Sequence, residues 1–232
     1  KYIIPEFERF NYLLDQEIND RGILIDTSFA TNAISINGKN EEDLTAQLVS
    51  LTGLANPNSA AQLKKWLSSA MKKDIKSLAK ESVSTLFEGV ESGAVFEVLK
   101  LREKSAKTSI KKYHAMLSCF CEDQRAHGLF QFYGASRTGR WAGRLIQLQN
   151  LPQNHLSDLD NARQAVASGD YSLCSMLYDD ISSVLSQLIR TAFIAKPGYT
   201  FAVADFSAIE ARVIAWLANE IWRLEVFNTH GK

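Results

Sequence analysis

Residues 199–218, YTFAVADFSAIEARVIAWLA, hold the pattern that decides the fold. The run 199–204 follows a Pro-Gly breaker and is rich in aromatic and β-branched residues, so it predicts a strand that ends at Asp205. From Ser207 onward the apolar residues recur at helical spacing, and Ser207 with Glu210 fits an S-x-x-E capping box. The pattern therefore predicts a carboxylate at a strand-to-helix junction.

A carboxylate at this kind of junction suits divalent metal chemistry. A buried strand would fix Asp205, and neighbouring backbone oxygens can complete an Mg²⁺ shell. Strand-end aspartates are also common polar residues that only close a strand, and one carboxylate alone makes a poor metal site. A capping box by itself would likewise explain Glu210. The junction alone leaves both interpretations open.

Two motifs resemble those of family A DNA polymerases, the family of bacterial DNA polymerase I, and the phage-encoded branch is the most similar. Residues 205–217, DFSAIEARVIAWL, resemble the first palm motif, D-Y-S-Q-I-E-L-R. Residues 137–152, RTGRWAGRLIQLQNLP, resemble T-G-R-L-S-S followed by N-L-Q-N-I-P, with Trp141, Ala142 and Gly143 in place of Leu-Ser-Ser. Both motifs occur in the family's order, so the chain is identified as a fragment of such a polymerase that ends just after the first palm motif.

The resemblance implies a DNA-directed DNA polymerase, in which a primer 3′ hydroxyl attacks an incoming deoxynucleoside triphosphate with the help of two Mg²⁺ ions. Asp205 is the implied catalytic residue, and it is expected to bind metal together with the carbonyl of Phe206. The helix start is expected to face the triphosphate, because a helix N-terminus favours anions. Glu210 is expected to crowd the sugar 2′ position. The implied nucleotide-binding residues are Phe206, Ser207, Ala208, Ile209 and Glu210.

The resemblance also implies contacts with primer-template DNA. Guanidinium and amide donors can reach the minor-groove acceptors that every base pair presents. Outside the resemblance, Asn and Gln in a Pro-bounded loop often satisfy backbone groups instead. A long helix predicted over 94–117 carries four lysines on one line and resembles a helix that lies along duplex DNA, although a solvated lysine face is ordinary. The implied DNA-binding residues are Lys104, Lys107, Lys111, Thr138, Arg140, Gln149 and Asn150.

The remaining periodicity predicts an α+β fold that is predominantly helical, with a few antiparallel strands. A helix over 5–21 is followed by a breaker at Gly22 and a strand at 23–25. Further helices are predicted over 40–54 and after a cap at Ser59. The resemblance divides the chain into a palm-base segment over 1–38, a thumb-like helical domain over 39–115, and a partial palm over 116–232 with a helical insertion near 153–187.

Charge is balanced overall but unevenly distributed. The chain has 26 Lys and Arg against 26 Asp and Glu, yet residues 60–114 hold twelve basic and six acidic residues, and residues 124–157 hold four arginines and no acid. This segregation is typical of a protein with one nucleic-acid face. Three cysteines without a signal segment indicate a reducing cytoplasm, that of a bacterial or phage-infected bacterial cell under the resemblance. The sequence has no apolar run long enough to span a membrane.

Two elements that the family places after the first palm motif are not found in the sequence. They are the nucleotide-binding helix and the H-D-E motif with the second metal carboxylate. Because the chain starts at Lys1 without Met, we expect it to be cut from a longer polymerase, whose remainder is then a partner. We expect the chain alone to bind Mg²⁺ weakly and to be inactive. The competing hypotheses are a non-catalytic nucleic-acid-binding module, a truncated polymerase remnant and a generic helical scaffold.

Overall fold

The N-terminal helix, turn and strand follow the sequence pattern. Helix α1 spans Glu6–Arg21 and strand β1 spans Ile23–Ile25, which confirms the prediction for this region. Gly22 joins them with φ 59° and ψ −173°, a conformation that is essentially restricted to glycine. The structure, a computed structural model, describes residues 5–78, 80–87, 90, 92–105 and 109–230.

Helix α2, Thr27–Thr52, connects two hydrophobic cores. Its first half buries Phe29 in the larger core, and its second half buries Leu48 in the smaller one. The helix predicted over 40–54 is therefore only the second half of a longer helix. The Asn and Gly residues before position 40 are weak helix formers, and burial of the apolar face there overrides their propensity.

Helices α3, α4 and α5 surround the smaller core. They span Ala60–Met71, Lys80–Leu86 and Ala94–Ser105. Ser59 caps α3 by accepting a hydrogen bond from the backbone N–H of Gln62, which confirms the predicted cap. The buried members of this core are Leu44, Leu48, Leu63, Leu67, Ile75, Val83, Leu86, Val98, Leu99 and Leu101.

The continuous helix predicted over 94–117 is wrong. Helix α5 ends at Ser105, Ser109 and Ile110 form a turn, and helix α6 spans Lys111–Cys119. The two helices serve different cores: α5 buries Leu99 in the smaller core, whereas α6 buries Tyr113 in the larger one. Burial also raises the pKa of the Tyr113 hydroxyl, which donates to a backbone carbonyl in that core.

The predicted insertion is helical. Helices α7, α8 and α9 span Leu159–Ala167, Tyr171–Leu177 and Ile181–Gln187, and α7 and α9 pack on α2. Asp170 caps α8 and Asp180 caps α9, each by accepting backbone N–H groups. These two acids of the insertion therefore cap helix starts, where negative charge is favoured.

The described strands are short and antiparallel. Strands β2, Arg125–Ala126, and β5, Phe193–Ile194, flank β1 in the order β2-β1-β5. Strand β3, Phe130–Gln131, pairs with β4, Ala142–Gly143. Together with the helices, these sheets confirm the α+β class. No helix of the described ranges has both the length and the apolar character needed to cross a membrane.

The chain divides into two compact units, Lys1–Ile194 and Ala195–Lys232. The second unit holds helices α10, Ile209–Leu217, and α11, Ile221–His230, which pack on each other and bury Ala215. Each unit is described below by itself.

The strand predicted over 199–204 is wrong. This segment is irregular, and the side chains of Tyr199, Phe201 and Val203 are 66%, 51% and 92% exposed. A strand exists only through hydrogen bonds with a neighbouring strand, and no described residue pairs with this segment. The local apolar pattern therefore could not make a strand without a partner.

The capping box predicted at the start of α10 is also wrong. The N-cap position is occupied by Ala208, which has a left-handed backbone with φ 52°, so Ser207 lies outside the cap. The described apolar residues of this helix remain largely uncovered: Trp216 and Leu217 are 67% and 70% exposed.

Candidate functional site

The Thr138-Gly139-Arg140 motif forms a closed turn between β3 and β4. The carbonyl of Ala135 accepts hydrogen bonds from the backbone N–H groups of Thr138 (3.1 Å) and Gly139 (2.8 Å). The N–H of Ala135 in turn donates to the carbonyl of Arg140 at 3.0 Å. The turn is thereby fixed by its own backbone, and it leaves the side chains of Thr138 and Arg140 exposed.

Glycine is required inside this turn for two reasons. Gly139 has a φ of 67°, in the left-handed region that glycine tolerates best. A Cβ at this position would lie 2.7 Å from the ring of Tyr133. The turn therefore packs directly on an aromatic side chain.

The Leu148-Gln149-Asn150 motif is a short 3-10 turn that lies against the β3–β4 hairpin. The amide of Gln149 packs on Gly143, where a Cβ would lie 2.3 Å from Gln149 Oε1. Asn150 Nδ2 donates to Gln147 Oε1 at 3.4 Å, and both Gln149 and Asn150 are exposed. The structure thus brings the two predicted motifs of the first unit together.

Two cations that were not predicted as site residues hold this second motif. Lys112 Nζ donates to the carbonyl of Ile146 at 2.7 Å. The guanidinium of Arg190 donates to the carbonyls of Leu151 and Pro152, both at 3.0 Å. The only sequence signals for these residues were a lysine beside Lys111 and the R-T-A-F-I-A run that starts at Arg190, and neither pattern identifies a backbone partner.

The predicted lysines do not form one line on one helix. Lys104 lies on α5 and donates to the carbonyl of Asp179 at 2.5 Å. Lys111 begins α6 and is exposed. Lys107 lies outside the residues that the structure describes. The turn between α5 and α6 separates the first two residues, so a helical spacing counted along 94–117 does not apply.

In the second unit, Asp205 lies in an exposed irregular segment directly before α10. Phe206 is 78% exposed, and the carbonyl of Ser207 accepts a hydrogen bond from Arg212 Nε at 2.7 Å. That bond and the left-handed Ala208 set the entry into α10, where Glu210 lies in the first turn. The six predicted residues 205–210 are all exposed.

The donors at this segment match part of a magnesium site. The Asp205 carboxylate and the Phe206 carbonyl are hard oxygen ligands of the kind that Mg²⁺ prefers. Mg²⁺ needs octahedral coordination, and within the described part of the chain no three His, Cys, Asp or Glu side chains come together in a way that could hold an ion. Asp205 and the Phe206 carbonyl therefore offer ligand types that suit Mg²⁺, without a complete site among the described residues.

Comparisons with known proteins agree with both motifs. The family model for DNA polymerase family A matches residues 30–231. The DNA polymerase of Bacillus phage SP02 is 56% identical to the chain over 227 residues, which cover 98% of this chain and 35% of that protein. The chain thus spans about a third of the length of this relative. No solved structure matches the present chain. Because the family match covers most of its residues, the chain belongs to DNA polymerase family A.

Proposed function

We propose that this chain is part of a DNA-directed DNA polymerase, which adds a nucleotide from a deoxynucleoside triphosphate to a primer 3′ hydroxyl. The hairpin that joins the T-G-R and L-Q-N motifs in a family A chain is the observation that carries the proposal. The SP02 relative supports the reaction class, because that protein is named a DNA polymerase. A phage relative also supports a location in the cytoplasm of a bacterial or phage-infected cell.

The hairpin would bind the primer-template duplex. Arg140, Gln149 and Asn150 carry N–H donors that suit the acceptors in the minor groove, which are present at every base pair. The Thr138 hydroxyl suits a backbone phosphate oxygen. The turn is closed by backbone hydrogen bonds, so these donors start from a fixed scaffold and little ordering is needed on binding.

Residues 39–115 would act as a thumb-like domain on the duplex backbone, between a palm-base segment over 1–38 and a partial palm over 116–232. The separate smaller core over 44–101 supports a distinct domain inside the bounds 39–115. Lys104, Lys107 and Lys111 would contact phosphates. Lys104 would have to exchange its bond to the Asp179 carbonyl for a phosphate, so its net contribution would be smaller than that of the exposed Lys111.

Asp205 and the Phe206 carbonyl would bind Mg²⁺ together with a carboxylate from the remainder of the polymerase. When bound there, two Mg²⁺ ions would stabilise charge on the attacking and leaving oxygens. The exposure of residues 199–205 supports this role, since the segment is available to neighbouring strands and to ligands.

The start of α10 would bind the nucleotide. A helix N-terminus favours an anionic triphosphate, and the residues around this helix start, Phe206, Ser207, Ala208 and Ile209, would lie along that group. Glu210 would lie beside the sugar and disfavour a 2′ hydroxyl. The hydrogen bond from Arg212 to the Ser207 carbonyl would hold the segment in place.

Two measurements on the purified chain test the proposal. We expect binding to a primer-template duplex that weakens steeply with salt. We expect no primer extension with Mg²⁺ and deoxynucleotides, because the sequence lacks the H-D-E carboxylate. Primer extension by this chain alone would contradict the expected inactivity. Absence of duplex binding at low salt would favour a generic helical scaffold.

The alternative is a non-catalytic nucleic-acid-binding module or a polymerase remnant. The incomplete donor set around Asp205 is the observation that favours it. The reading frame that follows Lys232 separates the two hypotheses: an H-D-E motif there favours the polymerase, and a stop codon favours the remnant.

A further inference from the structure

Helix α1 carries a buried carboxylate that neither polymerase motif includes. Asp15 is 3% exposed. Trp141 Nε1 donates to Asp15 Oδ1 at 2.8 Å, and the amides of Asn19 and Gln16 donate to Oδ2 at 3.1 Å each. These described donors are uncharged. Burying a carboxylate costs free energy unless N–H donors compensate it. Loss of any one of these hydrogen bonds to Asp15 is therefore expected to be unfavourable.

Trp141 is the residue that follows Arg140 in the turn. Its ring packs edge-on against Phe132 with centroids 5.9 Å apart, and Phe132 packs in the same way against Tyr12 of α1. The indole is therefore held by its ring and by its N–H. Since the Arg140 carbonyl also closes the turn, both ends of that residue are fixed.

A second side chain of α1 holds the other strand of the hairpin. Asn19 Nδ2 donates to the carbonyl of Phe130 at 3.0 Å, and the N–H of Phe130 donates to Asn19 Oδ1 at 2.9 Å. The same amide contacts Asp15, so α1 holds β3 through Asn19 and the start of β4 through Trp141. The hairpin is attached to the helix at both strands.

We propose that Asp15 is a positioning residue for the DNA contacts of Arg140 and Gln149, and that it acts through Trp141. The inference rests on the proposed function. Strand β4 begins directly after Trp141, and Gln149 packs on Gly143 of that strand, so a shift of the indole displaces both donors. Leu, which the family pattern T-G-R-L has at this position, has no N–H in its side chain and could not make this bond.

The test is a fluorescence-anisotropy titration of a labelled primer-template duplex with the wild-type chain and its variants. Trp141→Phe removes the N–H and keeps the ring contact with Phe132. Asp15→Ala removes the acceptor, and Asp15→Asn keeps one oxygen for the indole. Asp20→Ala, an exposed acid on the same helix, is the matched control. Circular dichroism verifies that each variant is folded.

We expect Trp141→Phe and Asp15→Ala each to weaken duplex binding by about threefold to tenfold, a part of the loss expected for a base-contacting Arg. Asp20→Ala should stay close to wild type. Asp15→Asn keeps an oxygen for the indole but turns an NH2 group toward the amide donors of Asn19 and Gln16, so its affinity should fall between those of the wild type and Asp15→Ala. The decisive measurement is Asp15→Ala in a background that carries both Arg140→Ala and Gln149→Ala, where a positioning role predicts no further loss and a general loss of stability predicts the same loss again.

Two results would overturn the inference. One is wild-type affinity in Trp141→Phe, a variant that keeps the aromatic packing and should fold even if Asp15→Ala does not. The other is a loss in Asp15→Ala that persists when both Arg140 and Gln149 have been replaced by alanine. If the wild type itself fails to bind the duplex, the proposed function fails first and this inference with it, so the two failures are distinguishable.

Discussion

Gln149 lies so close to Gly143 that a Cβ on the glycine would be 2.3 Å from Gln149 Oε1. The contacting atoms are the end of a flexible side chain, and Gly143 does not have a left-handed backbone. An alanine at this position would therefore push the amide aside without straining the backbone. Gly143 sets where Gln149 points, at little cost to the fold.

Gly143→Ala is expected to change the free energy of unfolding by less than about 1 kcal/mol. It should weaken primer-template binding as much as Gln149→Ala does, because both variants remove the amide from its position. Urea unfolding and anisotropy titrations measure the two effects. Gly38→Ala is the matched control: a Cβ there meets nothing within 4 Å, so DNA binding should not change. Wild-type affinity in Gly143→Ala would contradict this role of the glycine.

Gly22→Ala is expected to destabilise the chain by about 2–4 kcal/mol. Its φ and ψ are those of a glycine, and a Cβ would lie 2.6 Å from the backbone carbonyl of Ala126, which cannot rotate away. Gly53→Ala is the control, since Gly53 also has a positive φ but lies in the left-handed helical region with open space around it, and only about 1–2 kcal/mol of backbone strain is expected. Equal losses in urea unfolding would show that the contact with Ala126 is unimportant.

Because of the ion pair and hydrogen bonds of Asp26, the folded chain is expected to lose stability in acid. Burial acts to raise its pKa, but hydrogen bonds from Phe29 and Ser28 and the charge of Arg163, 2.7 Å away, outweigh burial and hold the pKa below its ordinary value. A lowered folded-state pKa contributes stability above the unfolded-state value of about 3.9, and the contribution is lost as pH falls through the folded-state pKa.

Asp26→Asn should therefore melt below the wild type at neutral pH, and the difference should shrink as the pH falls below about 4. The asparagine can still cap α2, so the variant isolates the charge. Asp20→Asn is the control, because Asp20 is exposed on α1 and has no part in the Asp26–Arg163 ion pair. Its melting temperature should differ little from that of the wild type. A gap for Asp26→Asn that stays constant on acidification would rule out the ion pair as its cause.

The sequence predicts elements whose causes are local. The α1 helix, the breaker at Gly22 and the Ser59 cap depend on residues within a few positions of one another, and the structure has all three. The strand over 199–204 and the single helix over 94–117 fail because their outcome depends on distant partners. A strand needs a neighbouring strand, and the helix turns where the chain passes from one core to the other.

The candidate site also contains some residues that the sequence predicts and others that it does not. The motifs around Arg140 and Gln149 could be recognised from their letters, because a family resemblance identifies residues without any knowledge of contacts. The residues that hold these motifs could not be recognised. Asp15 and Trp141 are 126 positions apart, and Lys112 and Arg190 bind backbone carbonyls, which have no sequence signature.

Asp205→Ala in the complete polymerase is expected to abolish primer extension, by a factor of about 10³ or more if the carboxylate binds the catalytic Mg²⁺. Binding of primer-template DNA should stay within about twofold, because Asp205 offers no donor to a phosphate or a base edge. Glu225→Ala, an exposed acid on α11 of the same unit, is the control and should extend normally. Extension and duplex affinity must be measured on the same preparation, since a shared loss would indicate damage to the fold. If Asp205→Ala extends a primer at the wild-type rate, Asp205 does not bind the metal, and the junction between residues 199–205 and α10 has only a structural role.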